Sequence, residues 1–149
     1  MKKYMILTTL LLFSVCTILF GCGKQAGSEF IGTWMSNDGF FEDNHCKNTY
    51  EVFFVVEKAK NGDTAYIVTR YTFTHSTQKP SGEVKLETEK KQFPAQYKDG
   101  ILERDFSERF YLEDGKLRVN TSKKIFEHIS DKSMTFEEMN NGRGYPAPK

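Results

Sequence analysis

The chain has 149 residues, of which 38% are hydrophobic, and its 21 Lys and Arg nearly balance its 20 Asp and Glu. The formal net charge of +1 leaves no basic excess to neutralise phosphates, which excludes nucleic-acid binding. This length can build one domain around a single core but not two.

The N-terminus has the pattern of a secretory signal. Lys2 and Lys3 precede an apolar run from about Met5 to Phe20. The run is shorter than the roughly 20 residues that span a bilayer, so an uncleaved membrane anchor is only the alternative. It ends in Leu19-Phe20-Gly21-Cys22, which resembles the lipobox of bacterial lipoproteins, with an aliphatic residue at −3 and a small residue before the cysteine. A plain signal peptide with an accidental cysteine is the competing interpretation.

The lipobox resemblance implies how the mature chain begins and where it is held. Cleavage between Gly21 and Cys22 removes residues 1–21 as a signal peptide, and Cys22 receives acyl chains such as palmitate. Two chains suffice for stable membrane anchoring. Gly23 follows the cysteine, which in a Gram-negative cell favours the outer membrane, and residues 22–28 are expected to be a short lipidated tether.

Cleavage also changes the charge and the cysteine count. Loss of Lys2 and Lys3 leaves 19 basic residues against 20 acidic ones, so the mature chain is nearly neutral. Cys16 leaves with the signal and Cys22 carries lipid, so Cys46 has no partner for an intramolecular disulfide. The fold must therefore depend on its core.

From Glu29 onward, apolar and polar residues alternate as they do in β-strands that have one wet face. Asn-Gly and Asp-Gly pairs, typical of tight turns, and a Pro-Ser-Gly stretch separate these segments. The alternation predicts strands in 50–58, 64–73, 83–91, 124–129 and 133–138 and a hairpin over 109–119. The turns are predicted at Asn61-Gly62, Pro80-Ser81-Gly82, Asp99-Gly100 and Asp114-Gly115.

The fold class that follows is all-β: an antiparallel up-and-down meander of eight to ten strands over residues 29–139. Closing the sheet into a small barrel removes its exposed edges, and an open β-sandwich is the alternative. We predict no helix. The tail, 140–149, has no apolar periodicity and is predicted to be disordered.

Gly32-Thr33-Trp34 on the first strand resembles the start of lipocalins and of smaller bacterial lipocalin-like domains. The resemblance implies that Trp34 is a structural residue packed across the closed end of the barrel, often under an arginine from a late strand. Arg118 and Arg143 are the candidates. Avidin-like barrels also begin this way, but they hold biotin with several tryptophans, and Trp34 is the only one here.

Few residues in the sequence are suited to catalysis or metal binding. Asp43, His45 and Cys46 lie in one predicted loop, but neighbouring His45 and Cys46 would point apart on an extended chain. Nothing in the sequence shows that His75 or His128 converges on them. We therefore predict no metal site, no cofactor and no catalytic residue, and expect that the protein is not an enzyme.

Binding is the expected activity. Aromatic residues on different strands either fill the core or line a cavity for a small hydrophobic ligand, and the candidate ligand-binding residues are Phe54, Tyr71, Phe73 and Phe110. The alternative is a protein–protein interaction module of the cell envelope: an assembly partner, an inhibitor or an adhesin. A barrel crowded with aromatic side chains would favour this alternative.

Overall fold

Eight antiparallel strands form a closed barrel in this computed structural model, which describes residues 25–105 and 107–149, without the side chain of Asp38. Each strand pairs with the next one in the chain, and β8 pairs back with β1. The predicted closed meander is confirmed, and the open sandwich does not form. The strands are β1 (Gly32–Glu42), β2 (Cys46–Lys58), β3 (Ala65–Gln78), β4 (Val84–Lys98), β5 (Ile101–Glu103), β6 (Arg109–Glu113), β7 (Lys116–Val119) and β8 (Ile125–Ser130).

Tight turns join several of these strands where the sequence predicts them. Asp99 and Gly100 between β4 and β5 have φ values of 51° and 83°. Asp114 and Gly115 between β6 and β7 have φ values of 53° and 73°. Both residues of each pair thus occupy the left-handed region, as the two-residue turn that matches strand twist requires.

The strands differ greatly in length. β1 to β4 have between 11 and 15 residues, whereas β5 to β8 have between 3 and 6. The long strands therefore continue beyond the short ones at one end of the barrel, which we call the open end. The other end, where β1 begins and β2 ends, is called the closed end.

Apolar side chains lie on both faces of the long strands. The face that points into the barrel forms the main core, and the outer face of β2 and β3 forms a second cluster. The main core contains Phe30, Trp34, Phe54, Val56, Tyr66, Val68, Phe93, Ala95, Leu102, Phe110, Leu117, Val119 and Phe126.

A short helix covers the outer cluster, and it replaces one predicted strand. Residues 133–138 were expected to be a strand, but the chain forms α1 (Phe136–Asn140) there. Thr135 accepts a hydrogen bond from the Glu138 backbone N–H, and the Glu138 carboxylate accepts one from the Thr135 backbone. This reciprocal pair is a capping box, which fixes the start of a helix. The predictions of a strand here and of no helix are therefore wrong.

The segment after α1, predicted to be disordered over 140–149, contacts the barrel. Asn140 Nδ2 donates to the Tyr145 carbonyl at 3.1 Å, and the Tyr145 ring lies 4.9 Å from that of Phe73. Arg143 forms an ion pair with Glu51 of β2. Among the described residues, no helix is long and apolar enough to cross a membrane.

Candidate functional site

Aromatic side chains fill the middle of the barrel. The ring of Phe54 lies 5.2 Å from that of Phe110 and 4.9 Å from that of Phe126, in edge-on contacts. Phe110 also stacks at 6.1 Å on Phe93. Rings from β2, β4, β6 and β8 thus meet at the barrel axis, and this part of the interior is a packed core.

Residues 25–30 close one end of this core. Phe30, in a 3₁₀ turn (Ser28–Phe30), is fully buried. The Tyr66 hydroxyl donates to the Ala26 carbonyl at 2.6 Å, and burial raises the pKa of this hydroxyl, which keeps it protonated. Residues 25–28, predicted to belong to a tether, therefore contact the barrel in the structure.

Trp34 lies at this closed end and is only 3% exposed. Its Nε1 donates to the Phe30 carbonyl at 2.9 Å, and its ring lies 4.6 Å from that of His128 in β8. The lipocalin resemblance implies an arginine in this place. Arg118 instead pairs with Glu113, and Arg143 lies outside the barrel. The residue that contacts the Trp34 ring from the last strand is His128.

The opposite end of the barrel has a recess of about 150 Å³. Apolar side chains form its floor, and charged and hydroxyl groups form its rim. The floor consists of Val52, Phe54, Val119 and Phe126, and the rim of Arg70, Thr72, Glu108, Thr121, Ser122 and Lys124.

Arg70 is the polar residue nearest the core in this recess. Its Nε is buried and has no hydrogen-bond partner among the described atoms. The Glu89 Oε2 atom lies 4.0 Å from Arg70 Nη2. Glu89 Oε1 forms a closer ion pair, at 2.7 Å, with Lys91 Nζ. The hydrogen bond from Lys91 lowers the pKa of Glu89, so this carboxylate stays charged at neutral pH. Arg70 therefore keeps hydrogen-bonding capacity that faces the recess.

The four predicted ligand-binding residues do not form one site. Phe54 forms part of the floor of the recess, and Phe110 lies deeper, fully buried in the core. Tyr71 and Phe73 point the other way, into the outer cluster under α1. Phe73 contacts Phe53, Phe136 and Tyr145, so it is a packing residue of the outer cluster.

In the predicted loop with metal-capable side chains, Asp43 holds the loop backbone in place. Asp43 Oδ1 accepts hydrogen bonds from the backbone N–H groups of His45 and Cys46, at 2.8 and 2.7 Å. Partial desolvation and then the Asp43 charge raise the pKa of the Cys46 thiol, which disfavours the thiolate that binds metals. No group of three or more His, Cys, Asp or Glu in the described part of the chain is placed to hold a metal ion.

A larger groove of about 770 Å³ adjoins the recess, and Thr72 belongs to the walls of both. Hydroxyl-bearing residues Tyr50, Thr72 and Thr74 form one side, and Pro146, Ala147 and Lys149 of the C-terminal segment form the other. The consecutive residues 85–90 of β4 complete it.

Sequence reasoning missed both Arg70 and the groove. Arg70 had a readable signal, because the alternation that buries Tyr66 and Val68 places Arg70 on the same inward face. The groove had none, because it depends on which strands stop early. No family model matches the chain, and comparisons with curated proteins and with solved structures also find no match.

Proposed function

We propose that this chain is a lipid-anchored protein of a bacterial cell envelope whose barrel is a non-enzymatic protein-interaction module acting at its open end. The packed interior carries the proposal. Ligand cavities that enclose a small molecule have volumes of about 300–1,000 Å³. The recess at the open end offers about 150 Å³ above a floor of core side chains, so a whole lipid does not fit in the barrel interior. The adjoining groove of about 770 Å³ is larger, but it lies along the surface at β4 and does not enclose a ligand.

The surface at the open end supports binding of another protein. Phe40 and Phe41 at the end of β1 are 59% and 48% exposed, and Val84 at the start of β4 is 54% exposed. These side chains lie at the same end of the barrel as the recess, where a protein partner could bury them.

Ion pairing supports a binding role in preference to catalysis. Glu108 pairs with Arg104 at 3.2 Å, and Glu87 pairs with Lys85 at 2.6 Å. A general acid or base must reach the proton that it transfers, and these two carboxylates are instead engaged by neighbouring basic side chains.

The sequence Leu19-Phe20-Gly21-Cys22, which lies outside the described residues, supports the anchor. A lipid on Cys22 would place the barrel at a membrane surface, with the outer membrane as the expected location in a Gram-negative cell. The near-neutral mature charge means that the lipid, not electrostatic attraction, would hold the protein there.

A small amphipathic ligand is the second candidate, and the recess itself favours it. An apolar group of a few carbons could occupy the floor beside Phe54 while an anionic head accepted hydrogen bonds from Arg70. Such a ligand would be only partly enclosed.

Two measurements on the mature protein separate these candidates. Photo-crosslinking side chains are placed at Lys123 in the β7–β8 loop of the open end and, as a control, at Lys98 beside the closed-end turn. We expect protein adducts in the native cells from Lys123 that Lys98 does not give, and native mass spectrometry of residues 25–149 should show the bare chain. A released adduct of a few hundred daltons, without protein crosslinks, would support the amphipathic ligand instead.

A further inference from the structure

The difference in strand length leaves one side of β4 without a neighbour. β3 pairs with β4 along its whole length, from Ala65 opposite Gln96 to Thr77 opposite Val84. β5 pairs only with residues 96–98. Residues 84–95 of β4 therefore have no strand partner, among the described residues, on the side away from β3. We call this side the free edge.

The register identifies which backbone groups point to the free edge. The Tyr97 N–H donates to the Thr64 carbonyl, and the Gln78 N–H donates to the Glu83 carbonyl. The backbone N–H and C=O groups of the odd-numbered residues in β4 therefore point towards β3. Since backbone N–H groups alternate in direction along an antiparallel strand, those of the even-numbered residues point away from β3, to the free edge. We call these residues outward. Pro94 agrees with this assignment, because a proline inside a strand is tolerated where its missing N–H would face solvent. The outward residues with a free N–H and C=O are Val84, Leu86, Thr88, Lys90 and Gln92.

The groove described above lies along this edge. It is lined by consecutive residues 85–90 of β4, which belong alternately to the two faces of the sheet, so the edge itself opens into it. The inward face contributes Tyr50, Thr72 and Thr74, and the C-terminal segment contributes Pro146, Ala147 and Lys149. The Thr88 hydroxyl oxygen is buried there and has no hydrogen-bond partner among the described atoms. Six residues of strand span about 20 Å, which is room for an extended peptide of similar length.

We propose that an extended segment of a partner protein adds to the free edge of β4 as a further strand. Outward N–H and C=O groups recur at every second residue, about 7 Å apart, and another strand offers the complementary spacing. A lipid or a compact small molecule has no such repeat. The inference rests on the proposed function and specifies the surface and the chemistry of its partner.

The charges on the edge indicate the sequence of the added strand. On the inward face of the sheet, β4 carries Lys85, Glu87, Glu89 and Lys91 in order. A second copy of the chain paired antiparallel about Thr88 would oppose Glu87 with Glu89 and Lys85 with Lys91, and like charges opposite each other are destabilising. A copy shifted to centre on Leu86 would pair Lys85 with Glu87, but no register of this edge against itself places lysines opposite both Glu87 and Glu89. The partner strand that complements both glutamates is therefore a strand of a different protein, with basic residues at these two positions.

β1 also extends past its neighbour β8, but its edge is less suited to a partner. The β1–β2 register shifts between Ser36 and Gly39. Such a bulge twists an edge away from further pairing. The β3–β4 register, in contrast, is unbroken over 13 pairs.

A displayed library of random 12-residue peptides, selected against the mature protein, supplies the probe. We expect enriched peptides to carry two basic residues at positions i and i+2. In Thr88→Pro, which removes one outward N–H as Pro94 does naturally, we expect at least a tenfold loss of affinity for the selected peptide. Thr88→Ala keeps the N–H and should stay within about twofold. Bound peptide should also slow amide exchange at Leu86, Thr88 and Lys90 in the unmodified protein.

Circular dichroism and the urea midpoint must first show that Thr88→Pro remains folded, and Gln92→Pro serves as a second outward variant if it does not. Selected peptides that bind both proline variants with unchanged affinity would overturn strand addition. Failure to select any peptide would overturn it as well. If protein crosslinks from Lys123 persist in either case, the interaction function stands and only the free-edge site is wrong.

Discussion

Gly27 occupies a crowded position where the chain enters the closed end. Its φ is +83°, and a Cβ added there would lie 2.7 Å from the Tyr97 ring and 3.0 Å from the Tyr66 hydroxyl. Gly100 has the same φ of +83°, but no heavy atom lies within 4 Å of its added Cβ. The two glycines therefore separate the cost of backbone conformation from the cost of crowding.

We predict that Gly27→Ala destabilises the protein more than Gly100→Ala. Both substitutions put a side chain in the left-handed region, at a cost of about 1–2 kcal/mol. Gly27→Ala adds an overpacking cost of about 1–3 kcal/mol because the tyrosine rings must move. Urea unfolding of the two variants measures the difference. Equal losses would mean that residues 25–28 are not seated against the barrel in solution.

Single residues also explain why the four predicted ligand-binding residues lie on two different faces of the sheet. Alternation separates Tyr71 and Phe73 from Tyr66 and Val68 on β3, and this separation is real. Both faces are apolar, however, so alternation could not tell which face points into the barrel. Phe73 belongs to the outer face because α1 and Tyr145 cover it. That long-range contact has no local signal in the strand sequence.

Among the elements, the turns were the most predictable part of the fold and α1 the least. Asp-Gly pairs need two consecutive residues at positive φ, so their positions follow from local chemistry. Residues 133–138 offered two competing patterns, a short alternation and the Thr135-x-x-Glu138 capping box. The capping box prevailed because the helix buries Met139 against the outer cluster. The short strands β6 to β8 lie where 109–119 and 124–129 predicted them, but β3 and β4 extend to Gln78 and Lys98, beyond their predicted ends at 73 and 91. These extensions were not predictable, since strand length depends on the neighbouring strands.

We predict that α1 and the following segment stabilise the barrel by covering its outer cluster. A chain that stops after Met134 should lose about 2–4 kcal/mol of unfolding free energy, because Phe53 and Phe73 lose contact with Met139 and Tyr145. It should also bind the dye ANS. The control is a chain that stops after Tyr145 and keeps these contacts. Unchanged stability after the longer deletion would show that the cluster is not held by this segment.

For the whole molecule, the property predicted by Leu19-Phe20-Gly21-Cys22 is lipid attachment. We predict that Cys22→Ser leaves an unprocessed precursor that retains residues 1–21 and incorporates no labelled palmitate. Cys46→Ser is the matched control and should be processed and labelled like the unmodified protein. The readouts are intact mass and palmitate labelling in a bacterial host. Normal processing of Cys22→Ser would contradict the lipobox.

The seating of residues 25–30 has a consequence for how the protein would stand on a membrane. With a lipid on Cys22, the few residues before Ala26 can reach at most about 10–14 Å, which limits the distance between the bilayer and the closed end. The closed end would then be the end of the barrel nearest the membrane. The 15 residues of β4, tilted as barrel strands usually are, would raise the start of the free edge to about 40 Å above the headgroups. The height of the edge above the membrane would therefore limit which partners can bind it. Segments of neighbouring envelope proteins that extend to that height could reach the edge by lateral diffusion. Segments that lie flat on the membrane could not reach it.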